Sequence, residues 1–186
     1  MPPKNKVTKE DLISAALQIV RENGERALNA RTLADRVGCS TQPVFSNFST
    51  MEDLRVAVGV RAEELCEEYI AKETEKGEFP PYKAGGMAYI QFAAKEPELF
   101  KLLYMRDRST DQSPEWLQSD YGMVRLVESG TGLSGDTAKL FHLEMWVFVH
   151  GVATMFATGF LNLDRELISR MLTDCYLGLR KQYGME

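Results

Sequence analysis

The eight residues Thr41-Gln-Pro-Val-Phe-Ser-Asn-Phe48 bring amide, hydroxyl and apolar side chains into one short segment. On a helix, such a set can read the edge of a base pair. Gln42 can donate to and accept from adenine at once, and Pro43 offers an apolar surface to a thymine methyl group. Thr41, Ser46 and Asn47 can reach base edges or phosphate oxygens. Ser40 and Phe45 complete the candidate set on this segment. Arg31 and Thr32 open the preceding predicted helix, where a phosphate could meet backbone N–H groups. Lys4 and Lys6 add a loose basic arm ahead of the first helix.

A second constellation is Trp146-Val-Phe-Val-His150-Gly151. Trp146 and His150 stand four apart, hence on one helical face. Such a pair can line a pocket in which His150 is the polar handle among apolar walls. The competing reading is a histidine hydrogen-bonded within the core, with Trp146 as packing. Met87, Phe92, Tyr104 and Met105 are further candidates for pocket walls. So are Trp116, Met123, Phe148 and Met155, the methionines because their thioether chains adapt to shape. For each of these eight taken singly, core packing is the stronger reading.

No catalytic or metal set closes. The two histidines, His142 and His150, stand about 80° apart around a helix, and no third ligand is spaced to join them. Cys39, Cys66 and Cys175 form no C-x-x-C pair and have no sequence-local histidine to activate them. Ser129-Gly-Thr-Gly-Leu-Ser-Gly135 lacks the Gly-Lys-Ser/Thr ending of a phosphate loop, and no strand precedes it. No cofactor, metal or enzymatic activity is expected.

The elements that must carry these residues read as helices nearly throughout. Thr8 caps a first helix to Asn23, with Asp11 three residues on and Leu12, Ala16 and Ile19 along one face. Gly24 ends it. A short helix follows at Ala30–Val37, Gly38 makes a turn, and Ser40 caps a second short helix, Thr41–Phe48, with Pro43 in its first turn. Thr50 caps a long helix to about Thr74. Two short helices joined by a glycine turn make a helix-turn-helix, whose second member enters a major groove. Leu33, Ala34, Val37 and Val44 are small or apolar where the two would cross. The same pattern also occurs in helical proteins that bind no DNA, with Phe45 and Phe48 as core.

Gly77–Pro81 reads as a linker. Helices are predicted at about Tyr82–Ala94, Pro97–Met105, Pro114–Glu128, Thr137–Leu161 and Arg165–Tyr183, with loops at Arg106–Ser113 and Ser129–Asp136. The expected fold is therefore all-α, with a three-helix DNA-binding head at 1–49 and a helical bundle at 50–186 that binds ligand and dimerises. Met145–Leu161 is nearly all apolar and near the lower length limit for a bilayer span. His150, Gly151, Thr154, Thr158 and Gly159 interrupt it, so a helix buried on most sides is expected, with no membrane partner.

Charge supports the division weakly. Seven Lys and Arg against five Asp and Glu make residues 1–50 net +2, which leaves −7 for the rest of a chain whose total is −5. A basic head on an acidic body suits a protein whose N-terminal end alone faces phosphates. The widely spaced cysteines and the absence of a signal-peptide pattern point to the cytoplasm.

The runs Ile13–Gly24, Thr32-Leu-Ala-Asp-Arg-Val-Gly38, Ser40–Phe48 and Met51-Glu-Asp-Leu54 together resemble the N-terminal domain of TetR-family regulators over about forty-five residues. Trp146, His150 and Gly151 resemble the tryptophan–histidine–glycine signature of one C-terminal subgroup of that family. The resemblance implies a cytoplasmic homodimer, usually a repressor, bound to a DNA operator (palindromic, to match the two-fold axis) and released by a small-molecule effector. It also implies that the last two helices of each subunit form a four-helix dimer interface. Gly151, Ala157 and Phe160 would serve it from one helix, and Ile168, Met171, Cys175 and Leu179 from the other. Two residues depart from the family: Phe45 stands where tyrosine is common and Met51 where lysine is common. Both changes remove a phosphate contact, so fewer phosphates should be neutralised and the salt dependence of binding should be shallow. The alternative function is a helical protein-interaction module with weakened DNA binding.

Overall fold

Several helix starts in this chain are set by side chains that satisfy the first orphan N–H groups. In the computed structural model, which describes residues 7–105 and 121–185, Thr8 Oγ1 accepts from the Asp11 N–H at 3.1 Å. The Asp11 carboxylate accepts from the Thr8 N–H at 2.9 Å. These bonds hold the Asp11 carboxyl below its ordinary pKa. Thr50 and Asp53 make the same reciprocal pair. Among the described residues there are nine α-helices and one 3-10 turn, and no strand.

The helices are α1 (Lys9–Asn23), α2 (Ala30–Val37), α3 (Gln42–Asn47), α4 (Met51–Glu75), α5 (Pro81–Lys95) and α6 (Pro97–Tyr104), then α7 (Tyr121–Thr131), α8 (Gly135–Ala157) and α9 (Arg165–Gln182). They fall into two compact units. The first takes in residues up to Leu65 together with 96–106; the second takes in 66–95 and the remainder. The first unit therefore extends past the expected boundary at 49/50, and α4 contributes to both.

The first unit closes around Leu12, Ala16, Val20, Leu33, Val44 and Leu54, all buried, with Leu99 and Phe100 of α6 beside them. Arg21 Nε donates to Glu96 at 2.7 Å. Two caps differ from expectation. Asn29, unread in the sequence, caps α2 by accepting from the N–H groups of Arg31 and Thr32 at 3.1 Å. The cap of α3 falls on Thr41, not Ser40, and no side chain bonds the α3 amides there. Gly38 has φ 74°, a left-handed conformation open to glycine, and lets the chain reverse between α2 and α3.

In the second unit α5 runs beside α8, and the buried residues of α5 form most of its apolar faces. Gly85 admits the Met123 side chain of α7: a Cβ there would lie 2.7 Å from Met123 Cε. Val127, Ala138, Phe141 and Met145 make a second core patch. By length and composition α8 could cross a membrane. Its apolar residues serve contacts with α5, α7 and α9. It ends at Ala157, earlier than the expected Leu161, because Gly159 turns the chain at φ 71° and the Phe160 N–H returns to Met155 O at 2.9 Å. Likewise α7 runs to Thr131 and α8 begins at Gly135, so the expected loop at 129–136 is three residues long.

Glu73 is the one buried charged side chain among the described residues, 1% exposed. Arg165 donates to it and also to Glu78 at 2.6 Å, while Lys76 Nζ donates to Glu73 at 2.6 Å. Burial pushes the Glu73 carboxyl up, but hydrogen bonds and charge from Arg165 and Lys76 outweigh it and hold it below its ordinary range. Lys83 and Arg165 both lie against the Phe79 ring, at 4.7 and 5.2 Å from its centre.

Candidate nucleic-acid interface and ligand site

Around α3, at about 100° per residue, Thr41, Phe45, Gln42 and Ser46 follow one another over an arc of roughly 140°. All four are exposed. Val44 and, just past the helix, Phe48 are buried and fix the helix to the first unit. Pro43 and Asn47 are half-buried on one flank. Lys9 of α1 lies over the Phe48 ring at 5.2 Å.

Two of the expected polar readers turn back on their own helix. Ser46 Oγ donates to Gln42 O at 2.9 Å, and Asn47 Nδ2 donates to Pro43 O at 2.8 Å. Gln42 makes no such bond among the described residues and faces solvent. Thr32 is also engaged: its hydroxyl accepts from the Asn29 N–H at 3.1 Å and donates to Ala27 O at 2.8 Å. Arg31 and Ser40 are exposed. Lys4 and Lys6 lie outside the described residues.

The cations near this face divide into two groups. Arg36 is held by Glu22 through two contacts, at 3.2 and 2.6 Å. That pairing raises the Arg36 pKa, chiefly by hydrogen bonding, and lowers that of Glu22. Arg55 stands 3.5 Å from both Glu25 and Glu52. Arg26 and Arg31 have no ion pair among the described residues and are exposed.

In the second unit the Trp146 and His150 rings stack, with centres 4.7 Å apart and planes 17° from parallel. His150 Nδ1 is hydrogen-bonded to Tyr89 Oη of α5 at 3.0 Å. One helical stretch earlier, His142 Nδ1 makes the same bond to Tyr82 Oη, also at 3.0 Å. The parallel run of α5 and α8 thus carries two Tyr–His pairs. The sequence held their signal, tyrosines seven apart on one helix and histidines eight apart on another, but not the pairing of the two helices. Tyr82 and Tyr89 were absent from the expected site.

The other expected wall residues disperse. Met87 and Phe92 are buried in the second unit, Phe92 edge-on to Tyr69 at 5.6 Å. Met123 is half-buried against Gly85, and Phe148 is half-buried on α8. Met155 is exposed on α8 and lies about 140° around that helix from His150. Tyr104 and Met105 belong to the first unit, where Tyr104 packs on the Phe100 ring at 5.0 Å. Trp116 lies outside the described residues. A concavity of about 450 Å³ opens at the end of α9, lined by Leu177, Arg180, Lys181, Gly184 and Met185; none of the expected wall residues lines it.

The expected dimer residues also separate. Leu140, Val147 and Met155 are exposed along one side of α8. Gly151 shares that side, with open space where a Cβ would point. Phe160 is 77% exposed just beyond it. Ala157 and Ile168, by contrast, are buried within the chain. Cys175 and Leu179 pack against the Phe141 patch, and Met171 is half-buried. Burial and the nearby Glu144 charge push the Cys175 thiol up.

Residues 82–175 match the family described as tetracyclin repressor-like, C-terminal domain. Over 191 aligned residues the chain is 26% identical to an HTH-type transcriptional regulator of Mycobacterium tuberculosis, covering 97% of this chain and 83% of that one. The fold is similar to a TetR-like transcriptional regulator from a Rhodococcus species, at TM-score 0.68 and 16% identity over 92% of this chain and 94% of that one. A TetR-family member from Streptomyces coelicolor is similar at 0.66 and 19%, over 90% and 96%. The multidrug binding protein EbrR, complexed with imidazole, is similar at 0.58 and 17%, over 94% of each chain.

Proposed function

The chain belongs to the TetR family of transcriptional regulators, and we propose on that premise that it acts in the cytoplasm as a homodimeric, ligand-released repressor. Residues 1–49 serve DNA binding; residues 50–186 serve ligand binding and dimerisation. The observation that carries the reading is the exposed arc of α3, with Gln42 open to solvent while Val44 and Phe48 are buried beneath it. A dimer places two such helices in successive major grooves, which are roughly 34–36 Å apart, and this calls for a palindromic operator. The exposed side of α8 through Leu140, Val147, Gly151 and Met155 supports dimerisation, because monomeric proteins rarely leave a contiguous apolar strip uncovered.

The ligand site in this reading is centred on Trp146, His150 and Tyr89. A stacked ring pair with a hydrogen-bonded hydroxyl gives a small molecule an apolar wall and a polar handle. The solved EbrR complex supports a small-molecule site in a chain of this fold. A ligand that binds one dimer state better than the other shifts the pair of heads away from the operator spacing.

The test is selection of duplexes from a random pool by the purified protein. A palindrome should be enriched. Recovery of no preferred sequence would remove the operator reading and leave the protein-interaction alternative, which the uncharged stretch from Val37 to Thr50 favours.

A further inference from the structure

We propose that α3 selects A·T base pairs, with Phe45 packed on a thymine methyl group next to the base that Gln42 addresses. The inference rests on the DNA-binding reading and deepens it to the class of base pair.

Charge cannot supply the selection. Fourteen consecutive residues, Val37 to Thr50, carry no Lys, Arg, Asp or Glu. The flanking Arg36 and Arg55 are taken up by glutamates. Most of the hydrogen-bonding groups are spent as well. Ser46 and Asn47 each give a donor to the carbonyl four residues back. What remains at the middle of the exposed arc is Gln42 and Phe45, one turn apart and about 60° around the helix from each other. Phe45 is 55% exposed, a large apolar side chain with more than half of its surface open to solvent.

That surface gains from burial only against an apolar partner. In the major groove the C5 methyl of thymine is that partner, and adenine N6 and N7 are the matching pair for a side-chain amide. An A·T step offers both groups within one groove edge. Against G·C, the phenyl ring would cover polar atoms and leave them without hydrogen bonds, which is costly. A phenyl ring also lacks a hydroxyl with which to reach a phosphate.

The test uses the duplex that the protein selects. Each thymine of a half-site is replaced in turn by deoxyuridine, which removes the methyl and keeps every hydrogen-bonding group. One position per half-site should lose about fourfold in affinity, the effect of one buried methyl. Phe45→Ala should bind the thymine and uracil duplexes equally. At the adjacent pair, 7-deazaadenine should weaken wild type and leave Gln42→Ala unaffected. The uracil arm alters no residue of the protein, so it reads the contact even if a variant folds poorly. A selected duplex indifferent to uracil overturns the methyl contact and leaves DNA binding standing. A uracil penalty that persists in Phe45→Ala overturns the assignment to Phe45. A pool that yields no preferred duplex overturns both readings.

Discussion

In α3 the side chains that could touch another molecule point outward, and Gln42 and Phe45 are bound to nothing within their unit. In α8 the polar side chains His142 and His150 are each taken up by a tyrosine of α5 at 3.0 Å. The first set works by being left open, the second by being held. The proposed partners of the first set lie outside the chain, so its logic is local: a glycine turn, a proline in the first helical turn, and two buried residues that fix the helix. The second set depends on partners about sixty residues away, and the Glu73–Arg165 pair on one ninety-two residues away.

The largest effect should come from the held region. Arg165→Ala leaves the buried Glu73 with Lys76 as its remaining cation. The loss of stability should be about 3 kcal/mol, at the lower end for a broken buried pair, read by urea unfolding. Because the folded-state pKa of Glu73 is depressed, its stabilisation stands in full above the unfolded value of about 4.3. It disappears as pH falls through the lower folded value. This acid step should shrink in Arg165→Ala. A variant as stable as wild type, with the step intact, would show that the pair adds nothing.

A smaller effect is expected in the open region, where caps rather than buried pairs set the local structure. Asn29→Ala removes the acceptor for two amides of α2 and should cost about 1 kcal/mol. Hydrogen exchange in α2 should quicken while exchange in α8 stays unchanged. Equal quickening in both helices would erase the distinction between the two regions.

The smallest signal is the salt dependence of DNA binding. Lys9, Arg26 and Arg31 are the described cations of the head without an ion pair, which gives six per dimer. The slope of log affinity on log salt should then be about −5, since each phosphate contact contributes about −0.9. A slope near −8 would mean that Lys4, Lys6 or the paired arginines also neutralise phosphates.

Much of the fold was legible in the sequence, because helix periodicity and stop signals are local. The Thr8–Asp11 and Thr50–Asp53 caps appear as read. The α3 start was misplaced by one residue because Thr41 and Ser40 are both good caps by type, and backbone geometry chose between them. Asn29 was missed although Asn29-x-x-Thr32 carries its signal. The end of α8 was read too late because the apolar run continues past Ala157, and Gly159 outweighs it. The proposed ligand site was only half legible. Trp146 and His150 share a face by spacing, but Tyr89 joins them through the pairing of α5 with α8, which no local pattern encodes. Residue type alone also put Met155 with His150, when the helix turns it to the opposite, exposed side.

The most direct measurement is the affinity of the full chain for its selected palindrome, compared with a scrambled duplex, for wild type and for a variant carrying both Gln42→Ala and Phe45→Ala. Wild type should prefer the palindrome by about a thousandfold or more. The double variant, folded as judged by circular dichroism, should hold the two duplexes alike. A double variant that keeps the full preference would place sequence reading somewhere other than α3 and contradict the account.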